Sequence, residues 1–232
     1  MKHCKTIIYV DGYNLYYSAL TKSAHKWLDL YELLLNKIIK PVVPESEIVQ
    51  IKFFTSPILG RYASDKESPA RQKTYHNALI AQHPNLISIT NGFHSHTVKN
   101  AYHADPSNGT DRLLVKVMEE KQTDVNISLH MYRDAVNAAA EHIVLVSNDS
   151  DLSPAIKMIR EDFEAIKIGV IIPALQHKDG ARKSGKLKSL AHWVREYIRE
   201  EELEKSQLPK AIQNRKNKTI RKPEAWSANS AR

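Results

Sequence analysis

The sequence predicts an α/β fold built on a mainly parallel central sheet. Two observations support this class. Continuous runs of β-branched and other apolar residues, at residues 6–10 and 142–146, are typical of strands buried on both faces. Segments with helical periodicity separate such runs along the chain, and strands that alternate with helices favour parallel pairing. The 232 residues are enough to enclose one sizeable core.

The individual elements are predicted from apolar periodicity and from capping, proline and glycine signals at their ends. Strands are expected at residues 6–10, 48–54, 86–90, 113–118, 142–146 and 165–172. Helices are expected at residues 14–20, 29–40, 69–82 and 124–140, then after residue 151 up to 160, and finally as one long helix over 186–204. Residues 91–111 are compatible with either an irregular loop or a hairpin.

The composition divides the chain into a folded part and a basic end. The domain is expected to span residues 1–206, and residues 207–232 are expected to form a flexible tail. In that tail lysines and arginines face a single acid, Glu224, and apolar residues are sparse. A solvated terminus without a partner is the alternative interpretation of the tail.

The cysteine count and the hydropathy indicate the compartment. With Cys4 as the single cysteine, neither an intrachain disulfide nor a cysteine zinc cluster can form, which fits a reducing environment. Neither a secretory leader nor a run long enough to span a membrane is visible. We therefore predict a cytoplasmic protein with no membrane partner.

The charge suggests a polyanionic partner. The formal net charge is +8 and the sequence pI is about 9.4. Lysines and arginines that neutralise phosphates release bound counterions, so a surplus of this size favours nucleic acid. The alternative is a basic protein that is merely well solvated.

Aspartates follow two of the best predicted strands. Asp11 ends the first strand, and Asp149 and Asp151 follow the strand at 142–146. In an open parallel sheet, ligands bind outside the carboxyl ends of the strands. Converging carboxylates repel unless a cation neutralises them, and oxygen ligands select Mg²⁺ or Mn²⁺. A third acid position, Asp124 at a helix start, makes the set more specific than the turns and caps that isolated aspartates usually mark.

Three ordered sequence blocks resemble one family. YVDGYNL at residues 9–15, EKQTDVNI at 120–127 and VLVSNDSDL at 144–152 are similar to the blocks of NYN-domain proteins, relatives of PIN-domain nucleases. The resemblance covers roughly residues 5–200. It implies a PIN-like three-layer α/β/α fold and a metal-dependent ribonuclease that leaves a 5′-phosphate and a 3′-hydroxyl.

The resemblance assigns site residues position by position. The acidic catalytic and metal-binding positions are matched by Asp11, Asp124, Asp149 and Asp151. Supporting polar positions are matched by Asn14, Ser147 and Asn148. Asp11 and Asp149 are the first-choice ligands of Mg²⁺ or Mn²⁺. Asp124 and Asp151 either bind the ion, directly or through water, or act as a base. His130 departs from the pattern, since many relatives have another aspartate there, and Asp134 is a minor candidate that also fits a salt bridge.

Basic and aromatic residues near the carboxyl ends of strands are candidates for contacting nucleic acid. They are Tyr13, Arg61, Arg71, Lys73, Arg182, Lys183, Lys186 and Lys188. Solvated loops and core packing are the alternative roles for these side chains.

Other functions remain open beside a ribonuclease. A P-loop hydrolase is excluded by the missing glycine-lysine motif, and a haloacid-dehalogenase-type phosphatase by Tyr13, where a second aspartate is required. A non-catalytic RNA-binding adaptor and a structure-specific DNA nuclease stay as alternatives. The sequence does not determine the RNA substrate, the number of metal ions or whether the protein forms homo-oligomers.

Overall fold

The structure, a computed structural model, describes residues 3–21, 23–63, 65–104, 111–176 and 184–227. The strands are β1 (Cys4–Asp11), β2 (Ser46–Thr55), β3 (Ile87–Asn91), β4 (Phe93–Tyr102), β5 (Arg112–Lys121), β6 (His142–Val146), β7 (Lys167–Ile171), β8 (Trp193–Arg195), β9 (Ala211–Gln213) and β10 (Thr219–Arg221). The α-helices are α1 (Gly12–Leu15), α2 (Ser68–Gln82), α3 (Thr123–Val136), α4 (Ser153–Asp162), α5 (Gly185–Leu190) and α6 (Glu200–Glu204). Wider helical turns cover Tyr16–Leu20 and Glu32–Ile39, and short 3₁₀ turns cover Ser150–Leu152 and Glu224–Trp226.

Six parallel strands form the central sheet, in the order β3-β2-β1-β6-β7-β8. β2 and β3 extend to one side of β1, and β6, β7 and β8 extend to the other, so the order reverses between β1 and β6. A reversal of this kind opens a crevice at the carboxyl ends of the two strands. The sheet confirms the predicted α/β class with a mainly parallel sheet.

Helices cover both faces of the sheet, which confirms the expected three-layer α/β/α arrangement. Along β1, Ile8 and Val10 enter a core with the helix Glu32–Ile39 and α2, because strand side chains alternate between faces. Ile7 and Tyr9 enter the opposite core with α3, α4 and α5. No helix in the described parts of the chain is long and apolar enough to span a membrane.

A buried ion pair ties α3 to the sheet. The Tyr9 hydroxyl donates to Asp134 Oδ2 at 2.5 Å, and the ammonium group of Lys52 on β2 bonds to the same oxygen. All three side chains are buried. A buried carboxylate is tolerated when it is paired and hydrogen-bonded in this way. Asp134 is therefore a salt-bridge partner in the core.

The antiparallel pair β4–β5 resolves the prediction that was left open over residues 91–111. Ten residue pairs run from Phe93 opposite Lys121 to Tyr102 opposite Arg112. Of the two alternatives the hairpin is correct, and the strand predicted at 113–118 is longer than expected. The tip, residues 105–110, lies outside the described residues.

The single long helix predicted over residues 186–204 is wrong. The segment forms α5, then β8, then α6. Trp193 lies opposite Gly169 of β7, and a Cβ added to that glycine would lie 2.3 Å from the indole ring. The bare backbone of Gly169 thus provides the space in which Trp193 packs, and this contact between distant segments favours a strand where local periodicity favoured a helix.

The segment after residue 206 differs from the predicted flexible tail. β9 and β10 pair as a hairpin, and Ile212 is buried in the core shared with α2. The Trp27 indole donates to the Pro209 carbonyl at 2.9 Å, and the Trp226 ring lies 6.2 Å from that of Trp27. The few apolar residues of this segment suffice because Leu208, Ile212, Ile220 and Trp226 all pack into or against the core. Residues 228–232 lie outside the described part of the chain.

His142, at the start of β6, forms the centre of a buried polar network. Its Nδ1 lies 3.2 Å from the hydroxyls of both Thr6 and Ser46, and its Nε2 accepts a hydrogen bond from the Trp193 indole at 3.0 Å. Because Nε2 is the acceptor, the ring is neutral with its proton on Nδ1. Burial, assisted by the charge of Lys167, lowers the pKa of His142 to about 4.

We expect the protein to lose stability as the pH falls from about 6.5 to about 4. In this window the unfolded chain protonates His142 but the folded chain does not, so protons favour unfolding. From pH 7 to 4.5 the loss from this group is on the order of 2 kcal/mol. Urea denaturation at several pH values would measure it. The His142→Gln variant is expected to be less stable at pH 7 and to have a shallower pH dependence, and equal slopes would contradict this assignment.

Candidate active site at the carboxyl edge of the sheet

Asp11 is the fixed point of the candidate site. It ends β1 and is only 4% exposed. Its Oδ1 accepts the backbone N–H of Asn14 at 2.9 Å, and its Oδ2 accepts the hydroxyl of Ser147 at 2.9 Å. Burial raises the pKa of Asp11, these two hydrogen bonds lower it, and the charges of Asp149 and Glu120 raise it further. The carboxylate is thus rigidly held at an energetic cost.

The loop after β6 lies beside Asp11 because β1 and β6 pair directly, with Val10 opposite Val146. Ser147 Oγ donates to Asp11 and accepts the Asp149 N–H at 3.0 Å. Asp149 Oδ1 accepts the Asp151 N–H at 2.9 Å, which caps the turn Ser150–Leu152. The neighbouring strands therefore bring Asp11 and Asp149 to the same edge of the sheet, as their positions after two predicted parallel strands suggested.

Two asparagines connect this loop to α1 and α5. Asn14 Oδ1 accepts the backbone N–H of Asn148 at 3.1 Å, and Asn148 Oδ1 accepts that of Ser184 at 2.8 Å. The supporting residues predicted from the sequence, Asn14, Ser147 and Asn148, thus all hold backbone at this edge. Their side chains fix the loop geometry around the aspartates.

Asp124 lies in the first turn of α3, where the negative charges of the other acids act on it. Its pKa is raised to about 6, mainly by burial and then by the charges of Asp11, Asp149, Glu120 and Asp151, in that order. Asp151 is exposed and has the smallest effect of these four. All four predicted aspartates therefore belong to one acidic group, with Asp151 at its outer side.

Glu120, near the end of β5, is a residue of this group that the sequence analysis did not select. Its Oε1 accepts the Ser56 hydroxyl at 2.7 Å and is also bonded by the Thr123 hydroxyl. Its charge raises the pKa values of Asp11 and Asp124. Glu120 is the first residue of the second sequence block, and this position was the signal that could have identified it. Its partner Ser56 follows a different strand, so the contact between the two depends on the fold rather than on local sequence. We name Asp11, Glu120, Asp124, Asp149 and Asp151 the acidic edge.

The donor atoms of the acidic edge are of the kind that a hard divalent cation prefers. Their arrangement among the described residues is not that of a formed metal site. The donors are carboxylate oxygens without sulfur or imidazole, the set that Mg²⁺ and Mn²⁺ prefer. Among the described residues, however, no three His, Cys, Asp or Glu side chains are grouped tightly enough to hold a metal ion. Both oxygens of Asp11 and one of Asp149 accept hydrogen bonds from the protein.

His130 lies further along α3 than Asp124, at the position where many relatives have another aspartate. Its ring meets Phe54 edge-on, with 5.3 Å between the centroids. Burial and the charges of Lys52 and Arg133 lower its pKa. His130 therefore adds no negative charge to the acidic edge.

Some of the residues predicted to contact nucleic acid are exposed, whereas others already contact residues within the protein. Tyr13 is half-buried, lies within hydrogen-bonding distance of His94 Nε2 at 2.9 Å and stacks on Tyr17. Arg71 pairs with Asp65, and Lys188 pairs with Glu196. The exposed cations among the candidates are Arg61, Lys73 and Lys186. Arg182 and Lys183 lie outside the described residues.

A cavity of about 130 Å³ lies on the other side of the sheet edge. Gly12 and Tyr13, which directly follow Asp11, form part of its wall together with Phe53 and Thr55 of β2. Side chains of α1, of the helical turn Tyr16–Leu20 and of α2, together with Ile58 and Trp226, complete the lining. Val10 and Phe53 belong to the core on this side, whereas Asp11 has the same parity along β1 as Tyr9, which faces α3.

Comparison with known proteins agrees with the fold and the sequence blocks. The chain is 35% identical to the 6-hydroxy-3-succinoylpyridine 3-monooxygenase of Pseudomonas putida, over 96% of this chain and 75% of that protein. It resembles the crystal structure of a protein of unknown function from Vibrio parahaemolyticus, with a TM-score of 0.51 and 19% identity, over 85% of this chain and 96% of the other. The NYN domain profile matches residues 5–184. The chain belongs to the NYN-domain family, within the PIN-like nuclease superfamily.

Proposed function

We propose that the protein is a metal-dependent ribonuclease that hydrolyses RNA phosphodiester bonds at the acidic edge. The observation that carries this proposal is the group of acids around Asp11, whose mutual repulsion contributes to raising the pKa of Asp124 to about 6. Grouped carboxylates are costly unless a cation neutralises them. The net charge of +8 adds a general attraction for phosphates.

Asp11, Asp124 and Asp149 would hold Mg²⁺ or Mn²⁺, with Asp151 acting through water or as a base at the outer side. A carboxylate-bound divalent cation lowers the pKa of water and stabilises charge on phosphate oxygens. Ser147 and the Asn14 backbone hold Asp11 in one orientation, and Ser147 also fixes the Asp149 backbone. The protein thus supplies a pre-oriented carboxylate next to two that are freer to adjust.

The Asp124→Asn variant is expected to be more stable than the wild type without metal and to respond little to added cation. A pKa raised by about two units corresponds to roughly 3 kcal/mol, which solvent screening reduces to about 1 kcal/mol for a half-exposed carboxylate. Above pH 7 the metal-free variant should therefore melt roughly 3 °C higher than the wild type. Saturating Mn²⁺ should raise the Tm of the wild type and have little effect on that of the variant. A wild-type Tm that does not respond to Mn²⁺ or Mg²⁺ would exclude this cation site.

Purified wild-type protein is expected to cut single-stranded RNA only when Mg²⁺ or Mn²⁺ is present. Because Asp149→Asn removes one donor of the acidic edge, the cleavage rate should fall by at least about 100-fold. Asp162→Asn is the matched control, since Asp162 lies on the surface of α4 and accepts a hydrogen bond from Tyr132. Gel analysis of end-labelled RNA, single-stranded DNA and flap substrates would measure the rates.

The same panel distinguishes the alternatives. RNA binding without cleavage in either cation would favour a non-catalytic adaptor. Preferential cleavage of flaps would favour a structure-specific DNA nuclease. Equal rates for wild type and Asp149→Asn would place any observed cleavage outside the acidic edge.

A second candidate function is oxygenation of a small heteroaromatic compound. The Pseudomonas putida relative is named as a monooxygenase of a succinoylpyridine, and the cavity beside Asp11 has aromatic walls. Monooxygenation inserts one atom of O₂ and reduces the other to water with two electrons from an added reductant. Substrate-dependent O₂ uptake with a reduced nicotinamide, in a preparation that does not cut RNA, would replace the ribonuclease proposal with this one.

A further inference from the structure

The cavity beside Asp11 has the size and walls of a site for one aromatic ring. Its volume is about 130 Å³, and apolar cavities of roughly 150 Å³ hold a single benzene molecule. Much of its lining is aromatic, contributed by Tyr13, Tyr16, Tyr17, Phe53, Tyr75 and Trp226. Flat aromatic walls favour a planar ring through stacked and edge-on contacts.

One polar side chain in this wall has unused hydrogen-bonding capacity. Within the described part of the chain, neither ring nitrogen of His76 has a hydrogen-bond partner, although its ring meets Phe53 edge-on at 5.7 Å. Burial lowers the pKa of His76 to about 4, so the ring is neutral near pH 7. A neutral imidazole offers one donor and one acceptor. These groups suit a ring that contains or carries polar atoms better than a pure hydrocarbon.

Positive charge lies at the same wall. Arg71 lines the cavity and pairs with Asp65. Lys26 lies close enough for the charge of Arg71 to contribute to lowering its pKa, after burial. Two cations thus share this region with one paired carboxylate. An arginine retains free N–H donors after one ion pair and can bind a second carboxylate or a phosphate.

We propose that this cavity binds a planar heteroaromatic ring bearing an anionic group, with His76 contacting the ring and Arg71 the anion. Two sources have this chemistry: the base and phosphate of a nucleotide, and a free heteroaromatic carboxylic acid. The site does not use the acidic edge, which lies on the opposite side of β1. It therefore does not depend on the ribonuclease proposal.

Isothermal titration calorimetry on the full chain, without divalent cations, tests the proposal. The probes are adenosine and uridine 5′-monophosphates with their uncharged nucleosides, and pyridine-3-carboxylate with its uncharged amide. At least one anionic probe is expected to bind. Arg71→Gln should weaken its binding at least about tenfold while changing that of its uncharged counterpart little. His76→Phe keeps the ring volume but removes both nitrogens, so it should weaken both members of the pair.

Lys157→Gln is the matched control, since Lys157 is an exposed cation on α4 that pairs with Glu161. Circular dichroism would verify that each variant is folded. Binding of the nucleotides would identify a base subsite, and binding of the pyridine acid alone would identify a small-molecule site. The proposal is overturned if no probe binds, or if Arg71→Gln affects binding no more than Lys157→Gln. Because cleavage is not measured here, either result is independent of ribonuclease activity.

Discussion

The direct parallel pairing of β1 with β6 is the constraint on which the rest of the site depends. Their register places Val10 opposite Val146, so the next residues, Asp11 and Ser147, meet at the carboxyl edge and form a hydrogen bond of 2.9 Å. The strand order reverses at this position, so the crevice between the strands is not covered by a connection. A shift of one residue would turn Asp11 toward the opposite core and separate it from the β6 loop.

The acidic edge is maintained at a cost to folding. Burial disfavours the charged form of Asp11, and the neighbouring carboxylates add repulsion that also raises the pKa of Asp124. Hydrogen bonds from the Asn14 backbone and the Ser147 hydroxyl offset part of this cost at Asp11. A domain can tolerate such a group because most buried side chains of the sheet are apolar and helices cover both of its faces. The surplus of negative potential is the physical reason to expect a cationic ligand at this edge.

The sequence predicted those features that depend on local patterns. Continuous apolar runs located β1 and β6, and the aspartates that follow them fell at strand ends as expected. Features that depend on contacts between distant segments were missed. Trp193 forms a strand because Gly169 leaves space for its ring, and Glu120 joins the acidic edge through Ser56. Residues 207–227 pack against Trp27, whose indole donates to the Pro209 carbonyl across a sequence separation of 182 residues.

The alternation of side chains along β1 places the acidic edge and the aromatic cavity, the two proposed sites, on opposite sides of a single strand end. Asp11 has the parity of the α3 side, whereas Gly12, Tyr13 and Phe53 line the aromatic cavity on the other side. Gly12 allows the start of α1 to lie close to β2, because a Cβ there would lie only 2.6 Å from the Phe53 ring. A fold of this kind supports several chemistries, so membership of the NYN-domain family does not by itself determine the reaction. If both proposals hold, the two sides of this strand end accept different ligands, and the reaction depends on which side binds the substrate.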